Sequence, residues 1–369
     1  MVSLVVASTS QTPDYNKHIV REFERIQKLT SHELELVLEI NDDVTLGINY
    51  NNAVGKAKGE VIILLHNDVA LANDFVDKVV RDIKKGRITT YTRVEPPIYK
   101  DPAIGKKLLD CGNDISNFDR QKFDEYSIPD KLQKGGNLMF FGCYKEDYIG
   151  LDGDFFEKFC EDSDMHMRYA ILGFEKMVSP AMVYHFVSKT SRLGNYAEIE
   201  RKSQADFIRK WGFSHGYWNK PMKKYTKGLF LNVSKYPFLI QNIFNWEPFF
   251  DVIFIHGATQ KTRKKIENIR LKSEQYSRFD LSDKFIFLDG TPSANIDVIN
   301  YFNLNVVLGI TKPIGNEFMR KIHFYVERVI EGEEDSDKHF TTSFPSQKNN
   351  GIHTIVLDEN SREEDYLWI

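Results

Sequence analysis

The segment that decides the fold is Glu60-Val61-Ile62-Ile63-Leu64-Leu65-His66-Asn67-Asp68, an apolar run that stops abruptly on three polar residues. A short run that is apolar at every position predicts a strand buried on both faces, as at the centre of a parallel sheet. Residues 4–7 and 34–40 predict two earlier strands, and apolar residues at helical spacing lie between them. This alternation indicates an α/β fold with a mostly parallel central sheet flanked by helices.

The helices and later strands of this half are less evenly marked. A first helix is predicted to begin at Asp14, whose carboxylate suits an N-cap, and a short second helix over residues 49–58 ends at Gly59. Between residues 89 and 136 periodicity is lost among prolines and Asp and Asn residues, so loops with short strands are expected. Order returns with a strand at residues 138–141, a helix at 161–172 and a short strand that ends at His185.

The composition is that of an ordinary soluble globular protein. The chain has 369 residues, 41% of them hydrophobic and 28% charged, with a formal net charge of −4. At about 100–200 residues per domain, this length predicts roughly two domains. Apolar runs are far shorter than the ~20 residues of a membrane span, the start shows no signal-peptide pattern, and three cysteines cannot build a disulfide framework. We therefore expect a cytoplasmic protein, and its charge balance gives no drive towards nucleic acid.

The second half of the chain predicts a smaller α/β unit. Apolar runs indicate strands, and helical spacing indicates the elements between them. The strands are expected at residues 252–255, 285–288, 306–308 and 354–357, and the helices at 261–277 and 316–330. We therefore place a first domain at residues 1–235 and an accessory domain of unknown role, which could support an oligomer, at residues 246–369.

The segment 201–235 is the one strongly basic stretch, with nine Lys or Arg and one acid, interrupted by Trp211, Trp218 and Tyr225. It fits a solvated linker with packed aromatics, a flap that closes on an anionic ligand, or a peripheral contact with anionic lipid at a membrane surface. The sequence leaves these alternatives open.

Three polar groups lie at predicted strand ends or helix starts, where open α/β sheets bind ligands. Asp68, within His66-Asn67-Asp68, is a carboxylate at the end of a buried strand, which suits a divalent cation bound to a diphosphate, although an Asn-Asp pair there is more often only a turn. His185 ends a strand among aromatics, where a lone histidine is more often a core residue than a metal ligand. Its weight as a candidate comes from the other two groups.

The remaining group is Glu161-Asp162-Ser163-Asp164 at a predicted helix start. One or two acids there complement the helix macrodipole. Three acids in four positions exceed that need, and their mutual repulsion would raise the pKa of at least one, as a general base requires.

Taken together, these groups resemble the family 2 glycosyltransferases of the GT-A fold. The first matching segment is Leu46-Gly47-Ile48-Asn49-Tyr50-Asn51-Asn52-Ala53-Val54-Gly55-Lys56-Ala57-Lys58-Gly59-Glu60, which runs into the decisive strand and its polar end. The others are Gly153-Asp154-Phe155-Phe156, then Glu161-Asp162-Ser163-Asp164-Met165-His166-Met167-Arg168, Gly173-Phe174, Pro180-Ala181 and Tyr184-His185. The resemblance covers residues 1 to about 190, roughly half of the chain, and implies that the domain at residues 1–235 is the catalytic domain.

The resemblance implies an inverting transferase that moves a sugar from a nucleoside-diphosphate sugar, with a UDP-sugar as the expected donor, to a hydroxyl of a glycan, lipid-linked or protein acceptor. It implies Mn²⁺ or Mg²⁺ held by Asp68 and His185, with Asp162, preceded by Glu161, as general base. The implied donor-binding residues are Ser8, Thr9, Ser10, Glu39, Asn41, Asn67, Gly135 and Gly136. His66 stands where the family has the first carboxylate of its metal motif, so its contact with the ribose, the metal or neither stays open.

The departure at His66 favours a second hypothesis, a GT-A-like protein that binds carbohydrate or nucleotide without turnover. The joint presence of Asp68, Asp162 and His185 argues for an enzyme instead. A nucleic-acid-associated protein that uses the basic stretches is the third and weakest alternative, because of the net charge of −4.

Overall fold

The computed structural model describes most of the chain as two compact units. The described residues are 1–98, 100, 103–136, 141–187, 189, 194–214, 225–275, 277–290, 292–310, 347–349 and 352–357, with isolated positions between 319 and 330. Of these, residues 1–200 form the first unit, and residues 201–214 with those from 225 onward form the second. None of the described helices is both long enough and apolar enough to cross a bilayer.

The first unit is built on one sheet to which nine described strands contribute, in the order β2-β1-β3-β8-β5-β9-β4, with β6 on β5 and β7 on β9. Its strands are β1 (Val2–Ser8), β2 (Leu34–Ile40), β3 (Val61–Leu65), β4 (Val69–Leu71), β5 (Arg87–Glu95), β6 (Lys106–Leu108), β7 (Gln133–Lys134), β8 (Phe141–Tyr144) and β9 (Glu175–His185). The pairing registers give β1, β2, β3, β5, β6 and β9 one direction and β4, β7 and β8 the other. The carboxyl ends of the parallel strands therefore share one edge.

Helices cover both faces of this sheet, which confirms the predicted α/β class. They are α1 (Pro13–Ile26), α2 (Leu46–Lys56), α3 (Phe75–Asp82), α4 (Arg120–Asp124) and α5 (Glu161–Ile171), with a 3-10 turn at Lys145–Asp147. A further helix, α6 (Tyr196–Trp211), leads along the chain from the first unit into the second. In β3, Ile63 and Leu65 join one core with Ile19 of α1, whereas Leu64 joins a second core with Met165 of α5. The central strand is thus buried on both faces, as its unbroken apolar run predicts.

Two local predictions were wrong. The helix α1 begins at Pro13, with Thr12 at the N-cap position, so Asp14 lies in the first turn and does not cap the helix. Proline suits this position because an N–H in the first turn has no acceptor within the helix, so its absence costs no hydrogen bond. The strand that ends at His185 is long, because it pairs with β5 along most of its length.

The segment read as loops contains β5, Arg87–Glu95, which pairs with β8, β9 and β6 in the interior of the sheet. Its sequence mixes Thr and Arg with apolar residues and runs directly into two prolines. The sequence pattern therefore did not indicate a strand here. The strand predicted at residues 138–141 corresponds to β8 at Phe141–Tyr144, and residues 137–140 lie outside the described part.

The second unit has its own sheet, with six described strands in the order β12-β11-β10-β13-β15-β14, where only β14 is antiparallel to its neighbour. The strands are β10 (Lys227–Asn232), β11 (Val252–His256), β12 (Phe285–Leu288), β13 (Val306–Ile310), β14 (Gln347–Asn349) and β15 (Ile352–Leu357). The helices are α7 (Ile243–Trp246), α8 (Gln260–Gln275) and α9 (Pro292–Tyr301), with 3-10 turns at Pro237–Asn242 and Glu247–Phe249.

Helices pack on opposite faces of this second sheet. Ile266 of α8 joins the core that contains Ile253, and Ile299 of α9 joins the core that contains Phe254. Most of the helix predicted at residues 316–330 lies outside the described residues. The alternation of neighbouring β11 side chains between the two cores is what a doubly covered parallel sheet requires.

The division between the units differs from the predicted boundary at residues 235–246. It falls after Glu200, inside α6, because β10 is a central strand of the second sheet between β11 and β13. The basic stretch contributes to that unit's interior: Tyr225 is buried, and the Lys227 ammonium donates to the carbonyls of Gly212 and Tyr225 at 3.1 and 3.2 Å. These side chains are therefore not available to a membrane surface, and Trp218 lies outside the described residues.

Candidate functional site

The candidate site lies where β3 ends and the chain turns directly into β4. His66, Asn67 and Asp68 form this connection. The register of the short antiparallel pair β4 and β9 places Val69 opposite His185, and the Phe186 amide donates to the Asp68 carbonyl at 3.0 Å. Sheet pairing thus brings Asp68 and His185 together although they are far apart in sequence.

His66, Asp68 and His185 form a group that could hold a metal ion, with one donor atom from each lying within 4.8 Å of the others. Asp68 Oδ1 lies 3.4 Å from His66 Nδ1 and 3.6 Å from His185 Nε2. The Asp68 side chain is 2% exposed, and among the described residues its Oδ1 has no hydrogen-bond donor. A buried carboxylate oxygen that faces two imidazole nitrogens in this way suits a cation between them.

Glu95, at the end of β5, lies behind this group. Its Oε1 is 3.0 Å from His185 Nδ1 and 3.3 Å from Arg93 Nη1, and its Oε2 is 3.3 Å from the Lys106 ammonium. Burial alone would raise the pKa of Glu95, but the His185 hydrogen bond and the charges of Arg93, His185 and Lys106 outweigh it and hold this pKa at about 2. Glu95 is therefore a buried, ionised carboxylate against the outer nitrogen of His185.

A cavity of about 470 Å³ opens at the carboxyl ends of β1, β2 and β3. Its lining residues are Ala7, Ser8, Thr9, Gln11, Asn41, Asp42, Asp43, Val44, Thr45, Leu46, Asn49, His66, Asn67, Glu157, Lys158 and Ile199. His66 belongs both to this wall and to the potential metal group. The cavity therefore meets the potential metal group at His66.

Of the residues expected to hold the donor, Ser8, Thr9, Asn41 and Asn67 line the cavity. The Asn67 amide donates to Ser8 Oγ at 2.8 Å and to Thr12 Oγ1 at 3.1 Å, so this part of the wall is held by a buried hydrogen-bond network. These contacts fix the shape of the cavity floor.

The loops after β1 and β2 are joined by Asp42. Its Oδ1 accepts from Thr9 Oγ1 at 2.6 Å and from the Ser10 amide at 3.1 Å, and its Oδ2 accepts from Ser10 Oγ. The hydrogen bonds from Ser10 and Thr9 lower the pKa of Asp42. Ser10 is thus placed next to the cavity through Asp42 and is not part of its lining.

Glu39, Gly135 and Gly136 lie elsewhere in the first unit. Glu39 pairs with Lys56 at 2.5 Å, on α2. Gly135 and Gly136 follow β7 with positive φ angles of 98° and 103°, and a Cβ on Gly136 would lie 2.3 Å from Val178 Cγ2. Close packing against β9 is therefore a sufficient reason for glycine at Gly136.

Asn49, on α2, is a cavity residue that the sequence did not single out. Its amide donates to the Asn41 carbonyl at 2.7 Å and to the Ser8 carbonyl at 3.4 Å. Asn49 is 3% exposed, and within the described part of the chain its Oδ1 has no hydrogen-bond donor. The wall thus contains an acceptor oxygen that a ligand N–H or O–H could use after a small movement.

Glu161 and Asp162 begin α5 and differ in environment. Glu161 is buried, and burial and, next, the charge of Asp162 raise the pKa of Glu161 to about 8. Asp162 is partly exposed, and its Oδ1 accepts from the Ser163 amide at 2.7 Å. At neutral pH, Glu161 therefore holds its proton, which leaves Asp162 as the better proton acceptor of the two.

Tyr50 of α2 lies buried against the end of β3. Its hydroxyl donates to the Leu65 carbonyl at 2.9 Å, one residue before His66. Burial raises the pKa of Tyr50 well above its ordinary value, and the charges of both Asp68 and Glu161 add to the rise. Tyr50 thus packs beneath the polar end of β3 as a neutral phenol.

Sequence reasoning missed Asp42, Asn49, Glu95 and Lys158. Asp42 follows the strand β2 in Asn41-Asp42-Asp43 and could have been found as a further polar residue at a strand end. Glu95 could not be found while β5 was read as loop. Lys158 lines the cavity, and burial lowers its pKa while the charges of Glu161 and Glu157 oppose that change.

No protein-family model and no curated protein matches this chain. Among solved structures, it is similar to TarS 1–349 of S. aureus in complex with UDP-GlcNAc, with 10% identity, 98% of each chain covered and a TM-score of 0.38. The glycosyltransferase GlyE of Streptococcus pneumoniae TIGR4 in its apo form gives 8% identity, 88% and 89% coverage and a TM-score of 0.28. A longer TarS structure is matched over only 49% of its length.

Proposed function

We propose that the first unit is a metal-dependent, inverting glycosyltransferase that moves a sugar from a nucleoside-diphosphate sugar, first of all a UDP-sugar, to an acceptor hydroxyl. The observation that carries the proposal is the double position of His66, which lines a cavity at the carboxyl ends of β1, β2 and β3 and also belongs to a potential metal group. A nucleoside in the cavity would extend its diphosphate towards the cation, as the reaction requires.

The residues at the β3 end fit a divalent cation such as Mn²⁺ or Mg²⁺. Asp68 Oδ1 is buried without a hydrogen-bond donor among the described residues and lies near two imidazole nitrogens, so a cation would satisfy it. Asp68, His185 and His66 would hold this ion. When bound, it would stabilise the negative charge that develops on the leaving diphosphate.

The cavity wall would hold the nucleoside. Ser8, Thr9 and Asn41 come from the ends of β1 and β2. Asn49 adds a side-chain oxygen that has no hydrogen-bond donor among the described residues, while its amide nitrogen donates to the carbonyls of Ser8 and Asn41. Lys158 brings a positive charge to the same wall. An ammonium there would favour a phosphorylated ligand over a neutral one.

Asp162 would act as general base. The acceptor O–H proton passes to the Asp162 carboxylate as the acceptor oxygen bonds to the anomeric carbon. The bond from that carbon to the diphosphate oxygen breaks, and its electron pair leaves with the diphosphate. A single displacement of this kind inverts the anomeric configuration. The partial exposure of Asp162 supports this role, whereas Glu161, with a pKa of about 8, already holds a proton at neutral pH.

A carbohydrate- or nucleotide-binding protein without turnover is the second candidate. The observation that favours it is His66 itself, which replaces a carboxylate by a neutral ligand, since burial lowers the pKa of His66. Such a protein would bind the donor as the enzyme does and differ only in the chemical step.

The test is a thermal-shift screen of the full chain with uridine, guanosine, cytidine and thymidine diphosphate sugars, each with and without Mn²⁺. We expect a UDP-sugar to raise the melting temperature, and to do so more strongly with Mn²⁺, because a ligand that binds only the folded state stabilises it. Absence of any metal-dependent stabilisation across the panel would contradict the proposal.

The stabilising donor is then used to test Asp162→Asn. We expect transfer or donor hydrolysis to fall by about 10²–10⁴-fold, with donor binding nearly unchanged, because only the proton acceptor is lost. Asp154→Asn, at an exposed position in the preceding loop, is the matched control. Donor binding without measurable turnover in the unaltered protein would favour the second candidate, and unchanged turnover in Asp162→Asn would remove this residue from the mechanism.

A further inference from the structure

His185 is oriented by a carboxylate on one side and faces a carboxylate on the other. Its Nδ1 lies 3.0 Å from Glu95 Oε1, and its Nε2 lies 3.6 Å from Asp68 Oδ1. An ionised carboxylate can only accept a hydrogen bond, so Nδ1 must carry the proton that is donated to Glu95. Nε2 is therefore the nitrogen left for a cation, and its lone pair points towards Asp68 once Nε2 has lost any proton that it carries.

Glu95 is itself fixed in place, which makes it an effective support. It is 4% exposed, and its two oxygens are shared among His185, Arg93 and Lys106. The backbone holds it as well, because the Leu109 amide donates to the Glu95 carbonyl at 3.0 Å. A side chain held at this many points transmits a defined orientation to the imidazole that it contacts.

Two of the three potential metal ligands are histidines, and only one is a carboxylate. His66 Nδ1 and His185 Nε2 are imidazole nitrogens, and Asp68 Oδ1 is the single carboxylate oxygen of the group. Imidazole nitrogen favours transition ions over Mg²⁺, which prefers oxygen ligands and keeps much of its water. A set of two nitrogen ligands and one oxygen ligand therefore favours a transition ion over Mg²⁺.

We propose that Glu95 is a positioning residue that fixes His185 as an Nε2 ligand, and that the centre formed with His66 and Asp68 binds transition ions such as Mn²⁺ in preference to Mg²⁺. The inference rests on the proposed metal site of the transferase. It narrows the choice of ion and adds a residue that touches neither the ion nor the substrate.

Metal titrations of the full chain without nucleotide test the ion preference. By isothermal titration calorimetry we expect Mn²⁺ to bind on the order of tenfold or more tightly than Mg²⁺. The variant His66→Asp replaces one nitrogen ligand by oxygen and should narrow this difference. Equal affinity of the unaltered protein for both ions would overturn the preference.

Two substitutions of Glu95 separate its charge from its hydrogen bond. Glu95→Gln keeps an oxygen that can accept from Nδ1–H, whereas Glu95→Ala keeps neither. We expect Mn²⁺ affinity to fall about 10–100-fold in Glu95→Ala and by less in Glu95→Gln. Glu175→Gln, an exposed position on the same strand as His185, is the control and should bind Mn²⁺ as the unaltered protein does. Unchanged affinity in a folded Glu95→Ala variant would remove the positioning role.

If Glu95→Ala fails to fold, a measurement on the unaltered protein tests whether Glu95 fixes the protonation of His185. In metal-free protein labelled with ¹⁵N-histidine, NMR should show His185 with its proton on Nδ1, and the signal is assigned by its loss in His185→Gln. A proton on Nε2 instead would overturn the proposal. Protein that binds Mn²⁺ tightly but is stabilised by no nucleotide sugar would keep this inference and contradict the proposed function.

Discussion

Asp68 in the first unit and Glu247 in the second are both buried carboxylates, but they are compensated in different ways. Glu247 is 0% exposed, and Arg209 donates to its two oxygens at 3.1 and 2.7 Å while the Lys284 ammonium donates to Oε1 at 2.6 Å. Asp68 is equally buried, yet its Oδ1 has no hydrogen-bond donor among the described residues and faces two imidazoles. The saturated carboxylate is held by fixed cations of the fold, whereas the unsaturated one keeps an oxygen available to a cation.

The two environments act on acidity in the same direction for different reasons. Burial would raise the pKa of Glu247, but the Lys284 charge and the Arg209 hydrogen bonds lower it. Burial would also raise the pKa of Asp68, but His185 and His66 lower it well below its ordinary value. Both groups are therefore ionised, so the number of donors around them, not their charge, distinguishes structure from site.

The largest expected effect is that of Asp68→Asn. Loss of the anionic ligand should abolish Mn²⁺ binding and reduce turnover by roughly 10³-fold, because a metal contributes several kcal/mol to charge stabilisation in such reactions. The free energy of unfolding should also fall, because the amide loses the attraction of His185 and His66 that lowers the pKa of Asp68, but by less than in a Glu247→Gln variant, which leaves a guanidinium and an ammonium without their counter-charge. Calorimetry, donor turnover and urea unfolding measure the three quantities.

Asp74→Asn, at an exposed carboxylate paired with Lys78, is the control for this variant. It should leave metal binding and turnover unchanged. If Asp68→Asn bound Mn²⁺ as tightly as the unaltered protein, the interpretation of Asp68 as a metal ligand would have to be abandoned.

Glu247→Gln should mainly reduce stability and leave Mn²⁺ binding unchanged, in contrast to Asp68→Asn. It leaves Arg209 and Lys284 buried without their counter-charge, which should lower the free energy of unfolding by about 3–5 kcal/mol. Urea unfolding followed by fluorescence of the buried Trp246 measures this loss. Mn²⁺ binding under native conditions should stay as it is.

Glu267→Gln is the matched control, because Glu267 pairs with Arg270 on the surface of α8 and its side chain is 49% exposed. We expect a change below about 1 kcal/mol there. A loss from Glu247→Gln no larger than that of this control would show that the comparison between the two carboxylates is wrong.

The sequence predicted the placement in the fold of those candidate residues that lie at the ends of local patterns. The apolar run of β3 stops at His66, and the acids of α5 mark a helix start, so Asp68 and Asp162 follow from short segments alone. The confirmed α/β class follows from the same alternation of strands and helices. Local periodicity is enough where neighbouring residues share one environment.

The parts that were missed depend on pairings between distant segments. Glu95 reaches His185 only because β5 lies beside β9, and that register is set by the whole sheet. Arg209 and Glu247 meet across 38 positions of sequence, so a stretch that looks like solvated basic chain contains part of a buried ion pair. Composition cannot distinguish a lysine in solvent from Lys227, which is fully buried.

Glu161 is a third buried carboxylate and extends the comparison to pH. Its Oε2 has no hydrogen-bond donor among the described residues, like Asp68 Oδ1, but the neighbouring charge is Asp162 instead of two imidazoles. Burial and this like charge raise the pKa of Glu161 to about 8, against the weaker opposing charge of Lys158. The unsaturated oxygen is therefore accommodated here by a proton and not by a cation.

Glu161→Gln should remove a pH dependence of stability, and this is the smallest effect that we expect. Between the ordinary carboxyl pKa and about 8, the folded protein holds a proton that the unfolded chain has lost, so stability falls as pH rises through this window. The loss between about pH 5 and 8 should be roughly 3–4 kcal/mol, because each unit of pKa shift is worth about 1.4 kcal/mol, and the glutamine variant should not show it. Thermal unfolding at several pH values should therefore give a difference in melting temperature that grows in favour of the variant towards pH 8. Glu157→Gln, an exposed acid in the preceding loop, should show no such growth. A constant difference between Glu161→Gln and the unaltered protein would mean that Glu161 is ionised throughout, and that an unsaturated buried carboxylate in this fold needs neither proton nor cation.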